Sequence, residues 1–137
     1  MAAGERISFV QGGAERLRVS DGGEGGVPVV LVHGLASELE TWRPVLDRLR
    51  ASRRAIAYDQ RGHGQSEAAG EYSIAALAGD LGRVVEELEL PRFWLAGHSF
   101  SGTVVSAYAA EHPEKVEGVV YVDAVGDVSR SAPEMKE

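Results

Sequence analysis

Four short apolar runs, set apart by stretches with helical periodicity, constrain this chain most. They are Val27-Pro28-Val29-Val30-Leu31-Val32, Arg54–Tyr58, Phe93–Ala96 and Val116–Val122. The runs are continuous rather than alternating, which fits strands buried on both faces of a parallel sheet. Between the first two, Trp42, Val45, Leu46 and Leu49 recur at helical spacing, with Thr41 placed to cap and Pro44 tolerated in the first turn. Between the second and third, Ser73 can cap a longer helix carrying Ile74, Leu77, Leu81, Val84 and Leu88 on one face, stopped by Pro91. A further helix, Thr103 to Glu111, precedes the last run. Ahead of all this, Arg6–Val10 and Arg16–Val19 alternate apolar and polar residues around Gly12-Gly13 and read as a hairpin.

The expected fold is therefore α/β: an antiparallel hairpin followed by a mostly parallel sheet, about six strands in all, with flanking helices. At 137 residues it is expected to be a single domain, 1–137, with a polar, frayed end from Asp127 to Glu137. Without cysteine, a disulfide scaffold, a thiolate metal site and a Cys nucleophile are excluded. Fourteen basic residues against 21 acidic give a net charge of −7, so a basic nucleic-acid footprint is missing. No apolar run approaches the ~20 residues that span a bilayer. Met1–Gly12 carries charges and no apolar signal core, so the expected location is cytoplasmic and no membrane partner is implied.

In an open α/β sheet, ligands bind outside the carboxyl ends of the strands. Each unusual loop here begins at such an end. After Ala96 comes Gly97-His98-Ser99-Phe100-Ser101-Gly102. A serine on a sharp strand-to-helix turn presents its hydroxyl, and the positions two before and two after it must be small. Gly97 meets this, and Ser101 stands where glycine is usual. The helix behind Ser99 points backbone N–H groups at the same spot. After Val32 comes His33-Gly34-Leu35, whose glycine lets the loop fold back so that the Leu35 N–H can join that of Phe100 as an oxyanion hole. The His33 side chain reads more simply as hydrogen-bonded to nearby backbone. Asp59-Gln60-Arg61-Gly62-His63-Gly64-Gln65-Ser66 matches neither a P-loop nor G-x-G-x-x-G, and reads as a structural loop in which Asp59 and Arg61 pin their neighbours. Trp42, Tyr72 and Phe100 can line an acyl pocket or belong to the core.

Taken in order, His33-Gly34, the Asp59–Ser66 loop, Gly97–Gly102 and Tyr121-Val122-Asp123 resemble the α/β-hydrolase superfamily, especially its esterase, perhydrolase and carbon–carbon hydrolase branch. The resemblance runs from the first hairpin to about residue 126 and implies a truncated α/β-hydrolase fold, its N-terminal half with no cap domain. It implies a serine carboxylesterase acting on small or short-chain esters, with Ser99 as nucleophile, the Leu35 and Phe100 amides as oxyanion hole, His33, Gly34 and His98 near the substrate, and no metal or organic cofactor. Serine rather than aspartate at position 99 argues against the epoxide hydrolase and haloalkane dehalogenase branches. The family's triad order is Ser, then acid, then His. Here Asp123 and Asp127 are the candidate acids, and His112 is the only later histidine, at the opposite end of the sheet from Ser99. In the family Val116–Val122 is covered by further strands. As an edge it is expected to pair antiparallel with that of a second copy, in a homodimer or higher oligomer that carries the second copy's His112 toward Ser99. The competing readings are a catalytically inactive fragment or ligand-binding module of the same fold, and perhydrolysis or carbon–carbon bond hydrolysis on the same serine.

Overall fold

The computed structural model describes residues 4–12, 15–67, 70 and 72–124. Strands β1 (Arg6–Gln11), β2 (Arg16–Gly22), β3 (Val29–Val32), β4 (Ala55–Tyr58), β5 (Phe93–His98) and β6 (Val116–Val122) form one sheet in the order β1-β2-β4-β3-β5-β6. β1 and β2 form the antiparallel hairpin, β2 runs antiparallel to β4, and β4, β3, β5 and β6 are mutually parallel. Helices α1 (Arg43–Leu49), α2 (Ile74–Glu87) and α3 (Ser101–Glu111) flank it. The α/β architecture expected from the pattern of runs is the one observed.

The central strands have neighbours on both sides, which is why their sequences are apolar on both faces. Alternate residues divide between two cores. Val30, Val32, Ile56 and Tyr58 pack with Leu77, Leu81 and Val84 of α2 and with Val104, Val105 and Tyr108 of α3. Leu31, Ala55, Ala57 and Ala96 point the other way, against Leu39, Trp42 and Leu46. Three of those four strand residues are alanine, which leaves room for α1 to lie close to the sheet.

Helix starts depart from expectation in two places. Thr41 does not cap α1. A 3₁₀ turn, Leu39–Trp42, runs straight into the helix, and Trp42 occupies the cap position without a side-chain bond. The preceding turn takes over the work of the cap. Thr41 Oγ1 instead pairs with Ser37 Oγ at 2.5 Å. Ser73 does cap α2, accepting from the Ala76 N–H at 3.1 Å. That helix stops ahead of Pro91: Glu89 turns left-handed (φ +55°), and the Glu89 and Leu90 amides bond back to the Glu86 and Val85 carbonyls. β5 runs two residues further than expected, and α3 starts at Ser101 rather than Thr103. The polar tail expected from Asp127 lies outside the described residues. Among the described residues no helix is long and apolar enough to cross a membrane.

Glu5 ties the chain ahead of β1 to α1. Its buried carboxylate accepts from Arg43 Nη1 at 2.7 Å, Arg50 Nη1 at 3.2 Å and Ser20 Oγ at 2.5 Å. Burial alone would raise its pKa, but the bonds from Ser20, Arg43 and Arg50 and the Arg43 charge outweigh that and hold it at about 2, against an ordinary 4.5. The unfolded chain then binds the proton more readily, so this stabilisation is complete above pH 4.5 and is lost as the pH falls through about 2. A shift of this size corresponds to a loss on the order of 3 kcal/mol. Urea unfolding across that interval should show a shallower decline for Glu5→Gln than for the wild type; parallel declines would remove the assignment.

Candidate active site

β3 connects through α1 to β4 on one side of it, whereas the next parallel strand, β5, lies on its other side. The strand order therefore reverses between β3 and β5, the place where open α/β sheets hold their ligands. The carboxyl ends are level: Val32 pairs with Tyr58 and with Gly97, and Gly97 with Tyr121. The loops opening at His33, Asp59, Ser99 and Asp123 thus emerge along one edge.

Ser99 is exposed and left-handed, with φ +56°. A non-glycine residue in that region stores strain of about 1–3 kcal/mol, held by its surroundings. Two backbone bonds hold it here: the Ser99 N–H donates to the Val122 carbonyl at 3.2 Å, and the Ser99 carbonyl accepts from Gly102 at 3.0 Å. Gly97 is required by contact. A Cβ there would stand 2.6 Å from the Ser101 carbonyl oxygen and 2.9 Å from Val105 Cγ2. Gly34 lies against the same turn, since a Cβ on it would be 3.2 Å from Ser99 Cβ and 3.1 Å from His98 Nδ1. The peptide following Gly34 is thereby brought beside Ser99. Among the described residues neither the Leu35 nor the Phe100 amide donates to another backbone group.

The histidines are otherwise employed. His33 is fully buried. The Gln60 N–H donates to its Nε2 at 2.9 Å, and its Nδ1 lies 2.7 Å from the Gly34 carbonyl oxygen. A backbone amide can only donate, so Nε2 is bare and Nδ1 carries the hydrogen. Burial, chiefly, lowers the His33 pKa and favours this neutral form; the neighbouring His63 and His98 act in the same direction, against the Gly34 bond and Asp59. The His33 side chain is thus hydrogen-bonded to nearby backbone, and the ring has both nitrogens engaged inside the protein. His98 is half-buried, its ring edge-on to Trp42 at 6.2 Å, and its Nδ1 faces Gly34. Trp42 belongs to the core under α1. Tyr72 is exposed and Phe100 packs partly against the larger core.

His112 follows the last residue of α3 and stacks on Tyr108 at 4.5 Å. The eleven residues of α3 separate it from Ser99 by ~16 Å at 1.5 Å per residue, so one chain does not bring the two together. Asp123 does lie beside Ser99: it is the first residue past β6, exposed, with φ +47°, next to the carbonyl that holds the Ser99 amide. Asp127 is outside the described residues. Among the described residues no group of three or more His, Asp or Glu side chains is placed to hold a metal ion.

Two supporting residues escape sequence reasoning. Ser101 is buried, and its hydroxyl donates to the His33 carbonyl while accepting from Gln60 Nε2 at 3.0 Å. Gln60 Nε2 also lies 2.9 Å from the His33 carbonyl. A serine at a position demanding smallness brings a hydroxyl that needs a partner, and Gln60 was the available polar residue in the facing loop. Around them Asp59 accepts from the Leu39 and Gln65 amides at 2.8 and 2.9 Å, and Arg61 binds Asp80 at 2.7 Å and Glu15 at 3.0 Å.

The same constellation of fold and sequence occurs in known proteins. The chain is 37% identical over 106 residues to a 2-hydroxy-6-oxo-2,4-heptadienoate hydrolase of Pseudomonas putida, covering 74% of this chain and 38% of that protein. It is 36% identical over 106 residues to the dihydrolipoyllysine-residue acetyltransferase component of a P. putida acetoin cleaving system, covering 77% of this chain and 29% of that protein. A thermophilic esterase from Thermogutta terrifontis superposes with a TM-score of 0.81 at 28% identity, over 96% of this chain and 49% of the esterase. The chain thus spans well under half the length of these two curated relatives. A sequence model of the alpha/beta hydrolase fold matches residues 27–137, and the chain belongs to that family.

Proposed function

We propose that the chain carries the reactive serine of a hydrolase for small or short-chain carboxylic esters. The observation that carries the reading is Ser99: exposed, left-handed at φ +56°, on a strand-to-helix turn where the strand order reverses. Ser99 Oγ attacks the ester carbonyl and loses its proton, the alcohol leaves, and an acyl ester remains on the serine. Water then attacks that ester, releasing the acid and restoring the hydroxyl. The Leu35 and Phe100 N–H groups, aided by the positive end of α3, hold the oxyanion that forms in both steps, each donor being worth about 3 kcal/mol in such sites. The hydrolase and esterase names among the relatives agree with this chemistry.

For the proton acceptor, the proposal takes His112 from a second copy. β6 is an edge strand whose Val120, Tyr121 and Val122 are exposed, and antiparallel pairing of two such edges would set the start of one β6 beside the end of the other. Asp123 is the acid nearest the turn. The rival reading, a binding module that keeps the serine turn without turnover, is favoured by the engagement of both nitrogens of His33 and of His63.

An alkyl fluorophosphonate, followed by peptide mass analysis and sedimentation of the labelled sample, separates these. The proposal expects one phosphonyl group on Ser99, a dimer, and slower labelling of His112→Ala with the dimer intact. No label on Ser99 favours the binding module. Labelling of a monomer, unchanged by His112→Ala, retains the serine chemistry and removes His112.

A further inference from the structure

The loops after β3 and β4 exchange histidine bonds. His33, just past β3, accepts at Nε2 from the Gln60 N–H at 2.9 Å. His63, in the loop past β4, accepts at Nε2 from the Ala36 N–H at 3.0 Å. Each Nδ1 faces a carbonyl oxygen, that of Gly34 at 2.7 Å for His33 and that of Arg61 at 2.9 Å for His63. Because both Nε2 atoms face backbone donors, both rings are neutral with the hydrogen on Nδ1. The rings stand 5.1 Å apart.

The consequence lies at Leu35. Its N–H shares a planar peptide with the Gly34 carbonyl, so the two point in opposite directions. The His33 bond, joined by one from the Ser37 N–H at 3.2 Å, fixes that carbonyl and with it the direction of the Leu35 N–H. The next peptide carries the Leu35 carbonyl and the Ala36 N–H, and His63 holds it. Ala36 itself is left-handed (φ +59°), a conformation that needs an external hold. A histidine therefore grips the peptide on each side of Leu35.

We infer that His63 is a positioning residue which, in its neutral form, holds Ala36 so that the Leu35 N–H stays aimed beside Ser99. The inference rests on the Ser99 reading for its effect on chemistry, while the grip itself can be tested without it. Protonation would turn His63 Nε2 into a donor facing the Ala36 donor, and the grip would open. Of the charged or titratable groups facing this loop, the His33 ring stands 5.1 Å from that of His63, Asp59 and Arg61 belong to the loop itself, Arg18 of β2 has its Nη1 3.6 Å from Asp59, and the Tyr72 hydroxyl lies against Gly62.

Two measurements test it. In wild-type protein, the Ala36 and Leu35 amide resonances should shift together with the protonation of His63 as the pH is lowered, and the Ala36 amide should resist hydrogen exchange above that transition. Amides that ignore the His63 titration, or an Ala36 that exchanges like an open loop, overturn the grip. In the second, His63→Ala should slow fluorophosphonate labelling of Ser99 by about 100-fold, the lower end of the range seen when an oxyanion donor is lost. His63→Gln, whose side-chain oxygen can take the place of Nε2, should recover most of that rate and the Ala36 protection. Equal labelling of His63→Ala and wild type overturns the positioning role. If the wild type takes no label, the Ser99 reading fails, and the amide titration decides the grip alone.

Discussion

Ester turnover should drop sharply when Ser99 is replaced by alanine, while the fold is kept. With p-nitrophenyl acetate as substrate, the expected loss is at least ~100-fold, because the oxyanion donors can stabilise only an attack that something delivers. In complete serine triads the loss is larger, yet ~10³–10⁴-fold acceleration over water survives from the oxyanion hole and binding. A companion variant separates chemistry from architecture. Ser99 has φ +56°, a conformation glycine adopts freely. Ser99→Gly should therefore be inactive and yet more stable, by about 1 kcal/mol. Stability gained together with activity lost is the signature of strain kept for function. A Ser99→Ala protein that hydrolyses the ester as fast as wild type would sink the serine mechanism, and a Ser99→Gly protein of lowered stability would show that the turn is not strained.

The legible part of this molecule is the part written in contiguous residues. Continuous runs such as Val29–Val32 and Phe93–Ala96 can only be satisfied with neighbours on both faces, so the parallel sheet follows from them. Ser73 announces its helix because a cap acts on residues three positions away. The Ser99 turn is equally local: Gly97 meets Ser101 four residues on. What stayed hidden depends on partners far along the chain. His33 and Gln60 are 27 residues apart, as are Ala36 and His63, and Ser101 meets the His33 carbonyl across 68. A lone histidine at a strand end says nothing about which nitrogen is bare until the facing loop is placed. Trp42 likewise has the composition of a pocket residue, and only the small alanines on the facing strands reveal it as core.

The loop bearing His63 hangs on a buried ionic group, and Arg61→Met should unfold the protein more readily than any surface substitution. Arg61, Glu15 and Asp80 are respectively 7%, 3% and 2% exposed. The guanidinium meets Asp80 in a two-pronged contact, Nε to Oδ2 at 2.7 Å and Nη2 to Oδ1 at 2.8 Å, and reaches Glu15 Oε1 at 3.0 Å. It thereby joins the turn before β2, the loop after β4 and helix α2. One cation serves two carboxylates, so its removal costs more than the loss of a pair. Methionine fills the space of the side-chain stem, but two buried carboxylates then lose the Arg61 charge that they share. Breaking a buried ion pair from one side costs about 3–5 kcal/mol, and this arrangement belongs at the upper end. The pH dependence distinguishes this cause from lost packing. The folded variant relieves the repulsion by binding a proton that the unfolded chain would release, so its stability should rise as the pH falls from 7 toward about 5. A packing defect would give the same deficit at both pH values, and urea unfolding of Arg61→Met at each would tell the two apart.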